Sequence, residues 1–341
     1  MAGGTPDSSV SSFYGGGIPW CSISDLSDSG KYLGTTRETL SKSGLEHSTA
    51  KLLPNRSILL AMYASIGKCA ISTTTVTTSQ AILGLFNFRD IDREFLYYYL
   101  CSIQPRLVNL GQTGTQSNLS KAIISNLDIL VPPLADQRRI VLALNAVDTN
   151  IAGLSGLLGK LSGIKKSTLS LLMKPSNDWT SCEFREVCVP VQWHRQQIIP
   201  KRKKLVSVVT QGDDSEKQAI SANRYFSIKE PLILFGDHTC LVKLLTSDCR
   251  IEGDGVKLFA PKDCDPVFLF HSIQMNASTI PIGYARHLNA LRETPVCMPS
   301  LFEQRRIAAT LATIDESIAR IKAEWEKMSA LKAGLMRYYF G

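Results

Sequence analysis

Between Gly111 and Leu119 the chain sets hydroxyl and amide side chains close together: Thr113, Thr115, Gln116 and Asn118. Such groups suit the edges of nucleic-acid bases or the oxygens of phosphates. A second polar stretch holds Tyr284, Arg286 and His287, where the guanidinium can grip a guanine edge or neutralise a phosphate. Lys68, Asp237 and His238 are further candidates. Plainer readings stand beside these. Asn118 and Ser120 can cap a helix, and His238 can be a packed turn residue.

Covalent chemistry finds less support. A DNA-base methyltransferase needs a glycine-rich cofactor motif and an Asn/Asp-Pro-Pro-aromatic motif at the target base. Val131-Pro-Pro-Leu134 lacks both the acid or amide and the aromatic. Gly67-Lys68 and Gly159-Lys160 lack the upstream glycine of a phosphate-binding GxxxxGK[ST] loop. No Ser/His/Asp arrangement or pair of carboxylates can be argued from spacing. The nine cysteines are scattered, with no CxxC pair and no His-x-x-x-His beside them. They read as reduced thiols, many of them buried, rather than as zinc ligands or disulfides. We expect no catalytic residue, metal or cofactor in this chain.

The elements that position the polar stretches come from an internal repeat. Pro132-Pro-Leu-Ala-Asp-Gln-Arg-Arg-Ile140 returns as Pro299-Ser-Leu-Phe-Glu-Gln-Arg-Arg-Ile307, each residue 167 positions on. The register holds through Leu144/Leu311, Asp148/Asp315, Ile151/Ile318 and Lys165/Lys332. Ile140, Leu144, Val147, Ile151, Leu154, Leu158 and Leu161 step by four and three, as do Ile307, Leu311, Ile314, Ile318, Ile321, Trp325 and Met328. A 3.5-residue period marks a coiled-coil seam. Each run follows a proline turn, with Asp136 or Glu303 in the first turn, where a helix favours negative charge. Neither helix can bury its stripe alone, so the two are expected to pack together, antiparallel. Gly153, Gly156, Gly159 and Gly163 fall off the seam. They are either tolerated at about 1 kcal/mol each or permit close approach of another protein.

The segments before each helix read as mixed α/β. Ser57–Met62, Thr73–Thr78, Pro231–Gly236 and Val256–Phe259 suit strands, and Phe95–Leu100 suits a helix with an aromatic face. A polar stretch around Lys174-Pro-Ser-Asn-Asp-Trp179 marks a boundary. Hydrophobic residues at 44% and charged residues at 20% are those of a globular protein. The net charge of +8 suits an acidic partner, and Lys201-Arg-Lys-Lys204 can track phosphates or be a solvated loop. No uninterrupted apolar run reaches the roughly 20 residues that a bilayer requires, and Met1–Asp7 lacks the features of a secretory signal. A cytoplasmic protein without membrane contact is expected.

Several motifs carry a resemblance. Gly3-Gly-Thr-Pro6, Tyr14-Gly-Gly-Gly-Ile-Pro-Trp20, Gly30-Lys-Tyr32, Ser48–Pro54 and Ala64-Ser-Ile-Gly-Lys68 resemble the opening of a type I target recognition domain. Gly114-Thr-Gln-Ser-Asn-Leu119 with Ile129–Leu134 and Gln137-Arg-Arg-Ile140 is similar to its close. Leu234–His238, Gly253–Lys257 and Gly283–His287 resemble the same family in the second half. The chain thus resembles the DNA specificity subunit of type I restriction-modification systems. No single motif is highly specific; their order and duplication are.

The resemblance implies an α/β (α+β) fold with two globular target recognition domains separated by two long antiparallel coiled-coil helices, as a pseudo-twofold repeat. The expected boundaries are 1–133 and 175–298 for the recognition domains, and 134–174 and 299–341 for the spacers. It implies double-stranded DNA as ligand, read as a split target, with two methyltransferase subunits and restriction subunits as partners that carry the chemistry. A spacer from Asp136 to Leu172 would span about 55 Å at 1.5 Å per residue. It would place two heads about a helical turn of DNA apart. Family members usually begin with another β segment before Gly-Gly-Thr-Pro, whereas here that stretch starts at Gly3; an alternative start or a truncation would leave the first head short of a strand. Gly17-Ile-Pro-Trp20 and Val191-Gln-Trp-His-Arg195 differ, which implies an asymmetric target. Two other readings stay open: a coiled-coil scaffold with protein-binding heads, and the same fold in a related methylation or phage-defence complex.

Overall fold

Ile58-Leu-Leu-Ala61 and Leu232-Ile-Leu-Phe-Gly236 are buried along their whole length, the pattern of a strand covered on both faces. Each is the centre of one of two compact units: Met1–Ser155 with Ala323–Gly341, and Gly156–Lys322. The computed structural model describes residues 1–341 except 112–117, 194–196, 199–203, 213–218, 223, 254 and 278–286; of 197–198, 204, 219–222, 224 and 276–277 it describes the backbone alone.

In the first unit the strands are β1 (Tyr14–Cys21), β2 (Tyr32–Leu33), β3 (Glu38–Leu40), β4 (Ile58–Ala61), β5 (Cys69–Ser72), β6 (Thr77–Thr78) and β7 (Ile82–Leu85). They make two sheets, β3-β1-β6 and β2-β5-β4-β7. Besides the short helices Ile23–Asp28 and Lys42–Glu46, the unit has α1 (Arg93–Ser102), α2 (Gln104–Gly111), α3 (Lys121–Ser125) and the long α4 (Leu134–Leu172), which continues into the second unit. The second unit adds β8 (Thr180–Glu183), β9 (Cys188–Val191), β10 (Lys204–Val209), β11 (Ala219–Ala222), β12 (Leu232–Gly236), β13 (Val242–Leu245), β14 (Cys249–Ile251) and β15 (Val256–Pro261). It closes with α5 (Pro266–Ala277), α6 (Leu288–Arg292), β16 (Pro295–Met298) and the start of α7 (Leu301–Phe340).

The two units repeat one strand pattern that spacing alone did not reveal. In the first, β1 runs antiparallel to β3 and parallel to β6; in the second, β10 runs antiparallel to β11 and parallel to β14. The central strand β4 lies antiparallel between β5 and β7, and β12 lies antiparallel between β13 and β15. A helix with an aspartate cap follows each. Asp92 accepts from the backbone of Glu94 and Phe95 at the start of α1, and Asp265 from Val267 and Phe268 at the start of α5.

Two expectations are corrected. Thr73–Thr78 is not one strand: β5 ends at Ser72, and the chain turns before β6 joins the other sheet. The backbone N–H and hydroxyl of Thr73 both donate to Leu33, so the β-branched run makes a change of sheet. Phe95–Leu100 does not present a single aromatic face, since all six side chains are buried. They lie between the strands and the end of α7, with Phe95 and Phe340 ring centres 5.2 Å apart.

The recurrent Gln-Arg-Arg-Ile motif has a structural task. The side chain of Gln137 is fully buried. It accepts from the backbone N–H of Asp92 at 2.6 Å and donates to the carbonyls of Asp90 and Pro132. Gln304 does the same in the second unit, accepting from Asp265 at 2.9 Å and donating to Pro299. Each glutamine thus fastens the cap of a head helix to the first turn of a long one. Beyond that turn the seam finds partners. In the first unit Asp148 meets Lys332 at 2.6 Å and Ser155 accepts from the Trp325 indole at 3.0 Å. As one number rises the other falls, so these segments run antiparallel. In the second unit Lys165 meets Asp315 at 2.5 Å, and Leu169, Met173, Ile307 and Leu311 share one apolar cluster. One 18-residue window of α4, of mean hydropathy 1.4, is long and apolar enough by composition to cross a membrane.

In the second unit β16 pairs with β8 from Pro295–Glu183 to Met298–Thr180, and Val296 is fully buried. The repeat places Ile129, Leu130 and Val131 opposite Val296, Cys297 and Met298 in sequence. These residues have no strand partner among the described residues, and Leu130 is 92% exposed.

Candidate nucleic-acid interface

Among the candidates, Thr113, Thr115, Gln116, Tyr284 and Arg286 lie outside the described residues, as do Lys201–Lys203. Lys68, Asn118, Asp237, His238 and His287 are described, and they fall into two equivalent places.

In the first unit, β4 and β5 are joined by a turn that carries Ala64 and Gly67 at positive φ. The Gly67 N–H donates to Ala61, and the Lys68 N–H to Ser65, which sets Lys68 at the head of β5. The same turn receives the segment that follows 112–117. The Asn118 N–H donates to Gly111 and the Leu119 N–H donates to Met62, with Leu119 buried and Asn118 exposed. Lys68 and Asn118 are therefore borne by two segments stitched to each other. The helix cap proposed as the plainer reading belongs to Ser120, whose hydroxyl accepts from Ile123 at the start of α3.

In the second unit the turn after β12 does the matching work. Asp237 is buried. Its carbonyl accepts from the His287 N–H at 3.0 Å and its carboxylate from the Leu288 N–H at 2.9 Å. Asp237 thereby caps the entry to α6 and anchors the chain as it leaves 278–286. His287 is buried beside it, while His238 is exposed with its N–H donating to the Gln211 side chain. Burial first, and the Asp237 charge second, push the nearby Cys240 thiol up.

Gln211 and Thr239, which sequence reading missed, complete this turn. The Thr239 hydroxyl donates to the Gln211 carbonyl at 2.5 Å. Gly255 explains how Gln211 fits: a Cβ there would lie 2.1 Å from the Gln211 Oε1. The only sequence signal was the pair of glycines Gly253 and Gly255, which bracket 254.

A polar cluster also missed as a site holds the first head to its long helix. The Lys31 ammonium lies 2.6 Å from Glu94 and also contacts Asn145, while the Tyr98 hydroxyl is 2.7 Å from both Asn145 and Asp148. Burial acts to raise the Glu94 carboxyl, but hydrogen bonds from Lys31, Asn145 and Tyr32 hold it below its ordinary value. Burial and the Asp148 carboxylate push the Tyr98 hydroxyl far up. Gly30-Lys-Tyr32 was the available signal. The segments that follow 112–117 and 278–286 are thus each hydrogen-bonded to a hairpin turn, and each head is tied to a long helix by buried polar side chains. Asn118 and His238 stand exposed beside these turns, where their polar groups can meet a nucleic-acid base or a phosphate.

Residues 2–161 match the family described as Type I restriction modification DNA specificity domain. The type I restriction enzyme MjaIX specificity subunit of Methanocaldococcus jannaschii is 25% identical over 152 residues, 43% of this chain and 35% of that protein. The type I restriction enzyme HindI specificity subunit of Haemophilus influenzae is 28% identical over 135 residues, 39% of this chain and 29% of that protein. The chain thus spans about a third of the length of the curated relatives it matches. The crystal structure of the type I restriction-modification system S subunit from M. genitalium superposes with a TM-score of 0.65 at 13% identity, over 98% of this chain and 91% of that one. The mixed α/β fold is the same.

Proposed function

We propose, from the membership of residues 2–161 in the type I restriction modification DNA specificity domain family, that this chain reads DNA sequence as a specificity subunit and leaves the chemistry to others. Its ligand is a double-stranded DNA target in two parts. Residues 1–133 read one part and 175–298 the other, through the loops that hold Thr113, Thr115, Gln116 and Asn118, and Tyr284, Arg286 and His287. Residues 134–174 and 299–341 pair as antiparallel coiled-coil spacers, set the unread gap, and dock two methyltransferase subunits, which restriction subunits join. The chain itself is non-catalytic and works in the cytoplasm.

The observation that carries this reading is the repetition of one device in both units. A hairpin turn grips the segment that follows a polar loop, through Leu119 to Met62 in one and His287 and Leu288 to Asp237 in the other. A pair of equivalent heads with different loop side chains is what a split, asymmetric target requires. Selection of duplexes from a random pool, by the chain with methyltransferase subunits present, tests it. Two short motifs at constant spacing are expected, with affinity that falls as salt rises. Capture of protein partners with no enrichment of any duplex would instead support a coiled-coil scaffold.

A further inference from the structure

Two thiols face one another in the first unit. Cys69 opens β5 and Cys101 lies in the last turn of α1, and their sulfurs are 3.5 Å apart. A disulfide bond requires about 2.05 Å, so closure needs an approach of about 1.5 Å, within the reach of side-chain rotation at the half-buried Cys101. Both cysteines line a solvent-open cavity of about 730 Å³, together with Lys31, Tyr97, Gln104 and Lys332. The second unit has no described thiol pair of this kind: Cys182, Cys188, Cys240, Cys249, Cys264 and Cys297 have no sulfur–sulfur contact among the described residues.

We propose that Cys69 and Cys101 form an oxidation site, which hydrogen peroxide joins as a reversible disulfide. In the first step the Cys101 thiolate attacks one peroxide oxygen. The O–O bond breaks, and the departing hydroxide takes a proton to become water, leaving a sulfenic acid. The Cys69 sulfur then attacks the Cys101 sulfur and gives up its proton. The S–O bond breaks, and hydroxide leaves as a second water. The two thiols together lose two electrons and two protons, and peroxide is reduced to two waters.

The surroundings favour Cys101 as the attacking group, because the thiolate is the nucleophile. The hydrogen bond from Cys69 lowers the Cys101 thiol most; burial opposes this, and Tyr97 and the Lys332 charge reinforce it. By contrast burial pushes Cys21 up to about 12 and Cys249 up to about 11. The bond would fasten α1 to β5. Because α1 also carries Glu94 and Tyr98, oxidation would fix the helix that holds Asn145 and Asp148 of α4.

The test uses the full chain, exposed to hydrogen peroxide, alkylated and mapped by mass spectrometry. The nine thiols of the reduced protein are expected to fall by two, with the peptides of Cys69 and Cys101 cross-linked and all nine restored by dithiothreitol. In Cys101→Ser, and in Cys101→Ala as a second form, Cys69 is expected to stay reduced under the same treatment. The thermal midpoint of the oxidised wild type is expected to rise and that of the variants to stay unchanged. Retention of all nine thiols would overturn the proposal, as would a sulfinic Cys101 beside a freely alkylated Cys69.

Discussion

The ammonium of Lys332 lies 2.6 Å from the carboxylate of Asp148, and by the 167-residue repeat these two are the counterparts of Lys165 and Asp315, which pair at 2.5 Å. Each acid of one copy therefore meets the base of the other. Each long helix contributes its first half to one unit and its second half to the other, so that each of these pairs lies within a single unit.

Charge reversal tests that exchange. Lys332→Asp and Asp148→Lys, each alone, are expected to lower stability, and the double reversal to recover most of the loss. The pair is partly exposed, with side-chain exposures of 34% and 26%, so a coupling of about 1 kcal/mol is expected. Urea unfolding of the four proteins gives the double-mutant cycle. Strictly additive losses would show that the contact contributes nothing.

Gln137→Ala is expected to destabilise the protein by about 2–3 kcal/mol, because the half-buried N–H of Asp92 and two carbonyls lose the partner that the fully buried amide supplies. Gln304→Ala is expected to act alike through Asp265 and Pro299. Denaturant midpoints check both. A loss within a few tenths of a kcal/mol would mean that water replaces the amide without cost.

His271 gives a pH dependence with a definite sign. It is buried on α5, and its Nδ1 lacks a hydrogen-bond partner among the described residues. Burial, then the charge of Lys165, lowers its folded value below 6.5, against a smaller upward pull from Asp315. The unfolded chain thus takes up the proton first. Stability is intact above about pH 6.5 and declines as the pH falls below it. His271→Phe is expected to show a smaller fall in thermal midpoint between pH 7 and 5.5 than the wild type. Equal falls would remove His271 from the account.

The exposed counterpart of β16 predicts an asymmetry between equivalent positions. Leu130→Lys is expected to change stability by no more than about 0.5 kcal/mol, since Leu130 is 92% exposed. Val296→Lys is expected to unfold the second unit, because it buries a charge without a partner. Circular dichroism melts compare the two, and a large loss at Leu130 would mean that this stretch is covered.

The helices were legible in sequence because a 3.5-residue stripe and a proline turn are local signals. The start of α4 at Leu134 and of α7 at Leu301 follows from them. The repeat matched the positions of the acids and of the bases, but that each acid pairs with the base of the other copy came from the structure. The stitch at Asp237 was not legible. Asp237 was a candidate for direct DNA contact, yet its carboxylate accepts from Leu288, 51 residues away, and is buried. A contact that depends on where two loops meet leaves no trace in spacing. Thr73–Thr78 misled for a related reason: β-propensity reports a fit to a pleated surface, not which of two sheets supplies it.

Substitutions in the two polar loops should separate the heads functionally. Gln116→Ala, or Thr115→Ala, is expected to relax the choice of base in one half of the target and leave the other half unchanged. Arg286→Ala is expected to do the same for the second half. A cost of about 1–3 kcal/mol per lost bidentate contact is expected. Enrichment profiles from selected duplexes check it, and equal weakening on every sequence would assign these side chains to phosphates instead.

The most direct measurement is genome-wide mapping of methylated bases in cells that co-express this chain with a type I methyltransferase subunit. The account predicts a new methylated motif in two parts, separated by a constant unread gap, that is absent when the chain is omitted. A stable complex with the methyltransferase and no new motif, or a motif in one uninterrupted part, would contradict it.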